Sequence, residues 1–479
     1  MNRTIRTVAL VEPAVEAEFY LTALFAQMRC QFPLLQAELR AHGYRPRIFA
    51  EPLGAFDEHT LGEIAGHDVI AVSDTVTTHR RTAELLAELR RRNPEAVVVL
   101  GGILVKFFAD LALEHADYLV NGDGEGVFVG LLQALGRGQD QPDLPGVGYR
   151  GGPIPGYHCA ERTFASDFDD IPGYGQVSAR RSVFGFRKVV RHSLFATRGC
   201  INECSFCPCH SPFRKRPVEY VLQDLRALLR RFPDTVVPLQ IMLVDDCPYG
   251  DPDYLSDLLE RIAFAVRDRN VLLEAQVRST VLADPAVARR FARAKFNVLA
   301  IGFETVNERS LLAQRKGAGV TDGLAAIEAC RGAGITPYGY FIAGFPTDDL
   351  GTVEQIADFV LRHRLIGQLL PYHVFDRDPV AGTFRVDPST RVLDPFAFGG
   401  TVFVSNAQPA FKPSELQRAL LAAYRRIFSA KRLPWLCTTT ERLYVLTYRS
   451  ILKVWEPSLR RHLEFLEHWE HENAHLWTR

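Results

Sequence analysis

The feature that most constrains this chain is a run of three closely spaced cysteines. Cys200, Cys204 and Cys207 follow a short apolar segment with the spacing CxxxCxxC. Thiolates are soft ligands, and this spacing allows a single loop to ligate an iron–sulfur cluster. A [4Fe–4S] cluster has four irons, so three thiolates leave one iron open to a ligand that is not cysteine. A structural zinc loop is the alternative, because Cys209 and His210 lie close by in the sequence.

The composition is that of a globular protein with two or three domains. The chain has 479 residues, of which 47% are hydrophobic and 23% are charged. Its 56 basic and 56 acidic residues balance, which gives no electrostatic argument for a nucleic-acid partner. The sequence contains no run of 18 apolar residues, so we expect no membrane span. Its first residues lack a signal-peptide pattern. With nine cysteines, three of them in one motif, we expect a cytoplasmic protein without a disulfide framework.

Short apolar segments alternate with helical ones from residue 1 to about 140. This alternation predicts a parallel, doubly wound sheet, in which ligands bind beyond the carboxyl ends of the strands. Polar residues and glycines follow the predicted strands there, and glycines allow a large ligand to approach the backbone closely. The residues at these strand ends are Ser73, Thr75, Gly101, Gly102, Gly122 and Glu125.

Six further strand–helix units are predicted between residues 185 and 375, beginning with the strand before the cysteines. In barrels built from such units, the chemistry lies at the C-terminal ends of the strands. Charged residues are found at those ends, and they are Asp245, Asp246, Glu274, Arg278 and Glu304. We predict a linker over residues 141–184. Residues 376–479 are predicted to be mainly helical and to form a substrate wall or lid.

Two groups of motifs carry a resemblance to a known family. The cysteine motif, with Phe206 before its last cysteine, resembles the signature of the radical SAM superfamily. The ordered strand ends over 73–75, 101–102 and 122–125 resemble the cobalamin-binding domain that precedes many of these enzymes. The whole pattern is similar to cobalamin-dependent radical SAM enzymes, in the branch that includes hopanoid C-methylases. For the N-terminal sheet alone, the alternative is a Rossmann-like module that is structural or binds another ligand.

The resemblance implies a fold of three parts. An N-terminal doubly wound, Rossmann-like cobalamin-binding domain would cover residues 1–140. After the linker, a partial (β/α)6 radical SAM barrel with a [4Fe–4S] cluster would cover residues 185–375. A mainly helical C-terminal region would complete the chain.

The resemblance also implies roles for individual residues. The three cysteines would hold the catalytic cluster, whose open iron binds S-adenosylmethionine (SAM). Asp245 and Asp246 would accept hydrogen bonds from the SAM amino group, and Arg278 would pair with its carboxylate. Glu274 and Gln276 point the same way on their strand, so one of the two would meet SAM or the open side of the cluster. Glu304 would lie near the ribose or methionine of SAM. The alternatives are a helix cap for the aspartates and an ion pair inside the barrel for Glu304.

A second pattern, Asp57-x-His59-x-x-Gly62, matches the motif whose histidine binds cobalt from below in some cobalamin proteins. In those families the motif follows the first strand. Here it follows the second strand, and Asp57 is predicted to be the N-cap of the next helix. We therefore expect cobalamin to bind without a histidine ligand.

The resemblance implies a C-methyltransferase that acts on an unactivated carbon. A 5′-deoxyadenosyl radical would remove hydrogen, and methylcobalamin would deliver the methyl group. The partners would be an electron donor of the flavodoxin or ferredoxin type and a small-molecule, lipid or peptide precursor, as in natural product biosynthesis. Two alternatives are a cyclase or rearrangement enzyme without net methylation and a non-catalytic cobalamin or metal sensor. One departure concerns the SAM site, because relatives carry Asp-Asp-Asn where this chain has Cys247 in the third position.

Overall fold

A computed structural model of the protein describes residues 4–15, 25–153, 155–161, 163–172, 174, 189–209, 211–232, 238–373, 391–392, 402–408 and 410–476. Within these ranges the chain forms two α/β units followed by a helical region. His210, which the zinc alternative would use, lies outside the described residues.

The N-terminal unit is built on a six-stranded sheet. In chain order, this part of the protein contains β1 (Thr7–Glu12), β2 (Phe25–Gln27), α1 (Gln31–Ala41), β3 (Arg45–Ala50), α2 (Glu58–Ala65), β4 (Val69–Ser73), α3 (His79–Arg92), β5 (Val97–Gly101), α4 (Ile103–Phe107), α5 (Ala109–Ala112), β6 (Tyr118–Val120), α6 (Val127–Gly136) and β7 (Val147–Tyr149). The sheet order is β3-β1-β4-β5-β6-β7, and every pair except β6–β7 is parallel. The strand order reverses between β1 and β4, which is the switch point of a doubly wound sheet.

Helices cover both faces of this sheet. Val8 and Leu10 of β1 pack in one core with residues of α1 and α6, whereas Ala9 and Val11 pack in another core with residues of α2 and α3. A parallel sheet that is buried on both faces requires nearly continuous apolar strands, and β1 supplies one. The doubly wound, Rossmann-like fold predicted for this part of the chain is confirmed.

The central unit is a seven-stranded parallel sheet. Its elements are β8 (Val189–Leu194), β9 (Thr197–Arg198), β10 (Arg214–Lys215), α7 (Val218–Arg231), β11 (Leu239–Leu243), α8 (Pro252–Val266), β12 (Val271–Val277), α9 (Ser279–Leu282), α10 (Pro285–Arg293), β13 (Phe296–Glu304), α11 (Glu308–Ala313), α12 (Val320–Gly332), β14 (Thr336–Ala343), α13 (Leu350–Arg362) and β15 (Ile366–Pro371). The sheet order is β15-β14-β13-β12-β11-β8-β2. The six predicted strand–helix units correspond to β8 and β11–β15. Because β15 and β2 are the two edges of the described sheet, the barrel is partial, as predicted.

Two short strands cross the domain limits predicted from the sequence. β2 lies within the predicted N-terminal domain, but it pairs with β8 and becomes the seventh strand of the barrel sheet. β7 lies within the predicted linker, but it pairs antiparallel with β6 at the edge of the N-terminal sheet. The domain limits themselves stay predictions.

The C-terminal region is mainly helical, as predicted, and it packs against the edge of the barrel. It contains β16 (Arg391–Val392), β17 (Asn406–Ala407), α14 (Pro413–Ile427) and α15 (Thr439–Glu472). The Tyr424 hydroxyl of α14 donates to the Leu369 carbonyl of β15 at 2.6 Å, and the hydroxyls of Tyr448 in α15 and Tyr338 in β14 are hydrogen-bonded. No helix in the described ranges is both long and apolar enough to cross a bilayer. The role of this region as a wall or lid stays a prediction.

Candidate active site

The cysteine loop begins at the end of β9 and folds back against its own exit. Gly199 has a φ of +72°, and a Cβ there would lie 2.3 Å from the Pro212 carbonyl oxygen. The Cys200 backbone N–H donates to the Ser211 carbonyl at 3.3 Å. Only glycine accommodates both the conformation and the close approach, so Gly199 sets the position at which the loop starts.

The same loop is tied to the end of α11. Ser205 donates through its N–H to the Gln314 carbonyl at 3.1 Å and through its hydroxyl to Gln314 Oε1 at 2.6 Å. Burial raises the pKa of the Cys207 thiol to about 12. By contrast, a hydrogen bond from Cys247 lowers the pKa of the Cys200 thiol to about 6. Metal binding to this loop therefore displaces a proton from Cys207, as it does at thiolate sites in general.

Next to the loop is a cavity of about 410 Å³ at the C-terminal ends of the barrel strands. Among the residues that line it are Cys200, Cys204, Cys207, Asp246, Gln276, Arg278, Glu304 and Lys316. Three thiols on one loop, facing a cavity with charged side chains, fit a cluster with one open iron and a polar ligand beside it. Asp246, Arg278 and Glu304 thus lie where the sequence predicted them, and their roles stay predictions.

Arg278 is the most distinctive cation in this cavity. Its side chain follows β12 and its residue is only 9% exposed. Within the described part of the chain it forms no ion pair and no side-chain hydrogen bond. A buried guanidinium without a partner favours a carboxylate ligand, because only an anion compensates its desolvation.

Glu304 ends β13 in an unusual conformation. Its φ is +62°, and the pairing of β13 with β14 shifts register between Gly302 and Glu304. Its carboxylate accepts a hydrogen bond from Lys316 Nζ at 2.5 Å, which is the ion pair that the sequence analysis named as the alternative. Lys316 carries no sequence pattern that identifies it as a site residue. Strained backbone of this kind is concentrated at functional sites, because the surrounding structure must hold it.

Asp245 does not line the cavity, and the SAM contact predicted for it stays a prediction. It is 2% exposed, and its carboxylate accepts hydrogen bonds from the Ala196 N–H at 2.7 Å and from the N–H and hydroxyl of Thr197 at 3.0 Å. Burial raises the pKa of this carboxyl group to about 7. Asp245 therefore holds the strand that leads to the cysteine loop, and the exposed Asp246 is the aspartate of the pair that reaches the cavity.

Glu274 also differs from its predicted position. Its carboxylate pairs with Arg191 of β8 at 3.1 Å inside the barrel, and it does not line the cavity. Burial raises the pKa of Glu274. Gln276, two residues closer to the strand end, lines the cavity and hydrogen-bonds the Tyr340 hydroxyl. Gln276 is therefore the residue of this strand face that lines the cavity, and a contact of Glu274 with SAM stays a prediction.

A second cavity, of about 290 Å³, lies at the carboxyl ends of the N-terminal strands. It is lined by five of the six strand-end residues predicted there, namely Ser73, Gly101, Gly102, Gly122 and Glu125. Thr75 is adjacent, because the Arg29 guanidinium donates to Ser73 Oγ at 2.6 Å and to Thr75 Oγ1 at 3.5 Å. The structure thus gathers the six residues at one edge of the sheet.

The glycines at this edge have a reason beyond ligand approach. Gly102 has a φ of +94°, and a Cβ there would lie 2.3 Å from the Asp74 carbonyl oxygen. Gly122 has a φ of +105°, and a Cβ there would lie 2.2 Å from the His158 carbonyl oxygen. Neighbouring strand-end loops therefore crowd these positions. A side chain would push the loops apart and change the wall of the cavity.

Glu125 meets a protein cation at the cavity wall. Its residue is 2% exposed, and its carboxylate lies 2.7 Å from the guanidinium of Arg198, just before the cysteine loop. Asp246 lines both this cavity and the one beside the cysteines. The two cavities therefore share a wall residue at the junction of the two α/β units.

The structure places His59, Cys209 and Cys247 outside the lining of both cavities. Asp57 is the N-cap of α2, as predicted, because it accepts from the Thr60 N–H at 2.8 Å, and His59 is exposed on that helix. The Cys209 N–H donates to Cys207 Sγ at 3.4 Å, and Cys247 is buried beside Cys200. Within the described ranges, no three His, Cys, Asp or Glu side chains are grouped to hold a single metal ion.

Comparison with protein families identifies both units. Residues 194–360 match the radical SAM superfamily, and residues 33–132 match the B12 binding domain. The radical SAM domain binds a [4Fe–4S] cluster and SAM, and the B12 binding domain binds cobalamin.

Several characterised proteins are similar in sequence. Bacteriochlorophyllide d C-12(1)-methyltransferase of Chlorobaculum tepidum is 25% identical over 63% of this chain, and the matched region is 62% of that relative. This chain therefore matches less than two thirds of that relative. The anaerobic magnesium-protoporphyrin IX monomethyl ester cyclase of Rubrivivax gelatinosus is 25% identical, over 83% of this chain and 73% of the cyclase.

Solved structures share the fold along nearly the whole chain. The methyltransferase TsrM from Kitasatospora setae, with cobalamin and a [4Fe–4S] cluster bound, matches with a TM-score of 0.66 and 18% identity. That match covers 95% of this chain and all of the TsrM chain. The cobalamin-dependent SAM radical enzyme OxsB matches with a TM-score of 0.67 and 15% identity, over 96% of this chain and 72% of the OxsB chain.

Proposed function

The chain belongs to the radical SAM superfamily and carries a B12-binding domain, and on this premise we propose that it is a C-methyltransferase acting on an unactivated carbon. Relatives named as methyltransferases support this choice of reaction. None of the relatives reported above is a hopanoid methylase, so kinship with that branch stays a prediction.

One observation supports the proposal above all: the two cavities assigned to the cofactors are neighbours that share the wall residue Asp246. When bound, the cluster and SAM supply a carbon radical that abstracts hydrogen, and cobalamin supplies the methyl group. Methyl transfer to a carbon radical requires both reagents to reach the same carbon, and adjoining cavities allow that.

The residues of this chain bind and orient the reactants. Arg278 pairs with the SAM carboxylate, and Asp246 accepts hydrogen bonds from the SAM amino group. Phe206, whose ring centroid lies 5.6 Å from that of Phe345, packs an aromatic wall beside the cysteines and excludes water. Glu304 and Lys316 form an ion pair without net charge, and this pair lies on the ribose side of SAM.

The substrate class is left broad, because the relatives named above act on different molecules. The name of one concerns a bacteriochlorophyllide, and the name of another concerns a magnesium protoporphyrin ester. We keep the proposal at a small-molecule, lipid or peptide precursor. The electron donor is a flavodoxin or ferredoxin, and the protein works in the reducing conditions of the cytoplasm.

A second candidate function is ring formation or rearrangement without net methylation. It is favoured by the cyclase of Rubrivivax gelatinosus, to which 83% of this chain aligns. The cofactors and the cavities are the same in both functions, so only the fate of the methyl group distinguishes them.

Methyl-labelled SAM tests the proposal without a known substrate. Reconstituted protein is incubated anaerobically with hydroxocobalamin, titanium(III) citrate and SAM that carries a deuterated methyl group. We expect mass spectrometry to find the label in the cobalamin fraction, together with S-adenosylhomocysteine and 5′-deoxyadenosine. 5′-Deoxyadenosine without labelled cobalamin would favour the cyclase instead, and the absence of both nucleosides would favour a sensor. Omission of titanium(III) citrate is the control.

The variant Arg278→Gln tests the carboxylate site. Loss of the charge-assisted hydrogen bonds is expected to weaken SAM binding about thirtyfold, since bonds to charged groups contribute about 2 kcal/mol. The measurement is equilibrium dialysis of SAM against the cluster-loaded protein. Arg309→Gln, at an exposed position on α11, is the matched control and is expected to bind SAM like the wild type. Equal affinities for all three proteins would contradict the assignment.

A further inference from the structure

A buried ionic cluster joins the two α/β units, and we call it the domain clasp. It consists of Asp123 and Glu125 from the glycine-rich loop after β6, and Arg198 and Arg214 from β9 and β10. Arg198 lies 3.1 Å from Asp123 Oδ1 and 2.7 Å from Glu125 Oε1, and Arg214 lies 2.8 Å from Asp123 Oδ2. Its two positive and two negative charges balance.

The carboxylates of the clasp are almost completely removed from water. The side chains of Asp123 and Glu125 are 7% and 2% exposed, and that of Arg198 is 23% exposed. Surface ion pairs contribute little, but removing one member of a buried pair leaves an uncompensated charge. Opening the clasp is therefore costly, and the two units are held in one relative position.

The arginines lie at the stem of the cysteine loop. Arg198 is two residues before Cys200, and Arg214 pairs with it across the antiparallel strands β9 and β10. Any movement of these guanidinium groups therefore moves the start of the loop. The carboxylates lie in the loop that follows Gly122, at the wall of the cobalamin cavity.

A second buried contact holds the other end of the cysteine loop. Lys106 of α4, four residues after Gly102, donates from Nζ to the Pro208 carbonyl at 2.8 Å, and the lysine is 4% exposed. Pro208 directly follows Cys207. The cysteine loop is thus held at both ends by the cobalamin-binding unit, through the loop after β6 at one end and through α4 at the other.

We propose that Asp123, Glu125, Arg198 and Arg214 are positioning residues that fix the cysteine loop against the cobalamin cavity, so that occupancy of the cavity stiffens the loop. The proposal rests on the proposed function, because it assigns cobalamin to this cavity. The clasp residues Asp123, Glu125 and Arg198 line the cavity, so a ligand there restricts them, and they restrict the stem of the loop.

Hydrogen exchange measured by mass spectrometry tests the clasp in the full-length, cluster-loaded protein. The variants are Arg198→Gln, which removes the charge, Arg198→Lys, which keeps the charge but pairs with one carboxylate at a time, and Glu125→Gln. Arg81→Gln is the matched control, because Arg81 pairs with Glu51 at the same 2.7 Å but within the N-terminal unit. Each protein is measured with and without hydroxocobalamin.

Without cobalamin, we expect amides of residues 199–209 and of residues 122–126 to exchange about tenfold faster in Arg198→Gln and Glu125→Gln than in the wild type. The exchange rate in Arg198→Lys should lie between the rates in the wild type and in Arg198→Gln. The rate in Arg81→Gln should match that of the wild type. With hydroxocobalamin, exchange over 199–209 should slow in the wild type and in Arg81→Gln. In Arg198→Gln only the N-terminal loops should slow.

Two results would overturn the clasp: exchange over 199–209 that is the same in the wild type, Arg198→Gln and Glu125→Gln, or an equal acceleration in Arg81→Gln. If hydroxocobalamin slows exchange nowhere in the wild type, the proposed function fails. In that case the cofactor-free comparison still decides whether the clasp holds the loop, and the coupling to the cavity is overturned.

Discussion

Replacing any one of Cys200, Cys204 and Cys207 by alanine is expected to abolish the brown visible absorbance of the reconstituted protein. Each thiolate ligates a different iron, and the two remaining ligands on one short loop do not retain the cube. Iron and sulfide content should fall to background, and reductive cleavage of SAM should fall by at least about a thousandfold. Iron analysis and chromatography of 5′-deoxyadenosine measure the two effects.

Two other cysteines provide matched controls for this loss. Cys247 is buried beside Cys200 and would be a fourth ligand if the site had one, whereas Cys330 is buried in α12, on the outer layer of the barrel. Cys247→Ala and Cys330→Ala should both keep the full cluster. A cluster lost from Cys247→Ala, or retained in one of the three motif variants, would contradict a site with three thiolates and an open iron.

The order of strands and helices was predictable because each element carries a local pattern. α7, for instance, has apolar residues at helical spacing along Val218–Arg231. The strands of both sheets are short apolar runs, as buried parallel strands must be. β2 was not predictable, because it has three residues and its partner β8 lies more than 160 residues away in sequence. Pairing over such a distance leaves no local signal.

The candidate site was predictable to the level of the strand end but not of the individual side chain. The spacing of the cysteines placed them together, and alternation put Glu274 and Gln276 on one face of β12. How deep each side chain lies in the barrel is a tertiary property, and Glu274 meets Arg191 instead of the cavity. The sequence likewise predicted the aspartates Asp245 and Asp246 after β11. It could not tell which of them reaches the cavity, because that depends on the hydrogen bonds from Thr197 that hold Asp245 away from it.

The main contacts that the sequence did not predict are ion pairs between residues far apart in the chain. Arg198 and Glu125 are 73 positions apart, and each lies beside a motif that already had an interpretation. A pattern search stops at the motif, whereas the contact between the two motifs appears only when both domains fold. This is why Glu125 was predicted to contact cobalamin and was found to hold the neighbouring unit as well.

Substituting Gly102 by valine is expected to remove cobalamin binding while the cluster stays. The φ of +94° at Gly102 belongs to a region that only glycine occupies readily, and a Cβ there would collide with the Asp74 carbonyl at 2.3 Å and crowd Ser73 Oγ at 3.1 Å. The end of β4, where Ser73 lines the cavity, must then shift. We expect the affinity for hydroxocobalamin, measured by absorbance titration, to fall by at least about a hundredfold.

The control for this substitution is a glycine without such constraints. Gly332 ends α12, and a Cβ there would meet nothing within 4 Å, so Gly332→Ala should bind cobalamin like the wild type and be slightly more stable. Gly102→Val should keep its iron content and its far-ultraviolet circular dichroism, because the barrel contains neither Gly102 nor Asp74. Wild-type cobalamin affinity in Gly102→Val would mean that this edge of the N-terminal sheet is not the cobalamin site. A parallel loss of iron would contradict an effect confined to the cobalamin cavity, and would mean that the damage reaches the cysteine loop through the contact between Lys106 and Pro208.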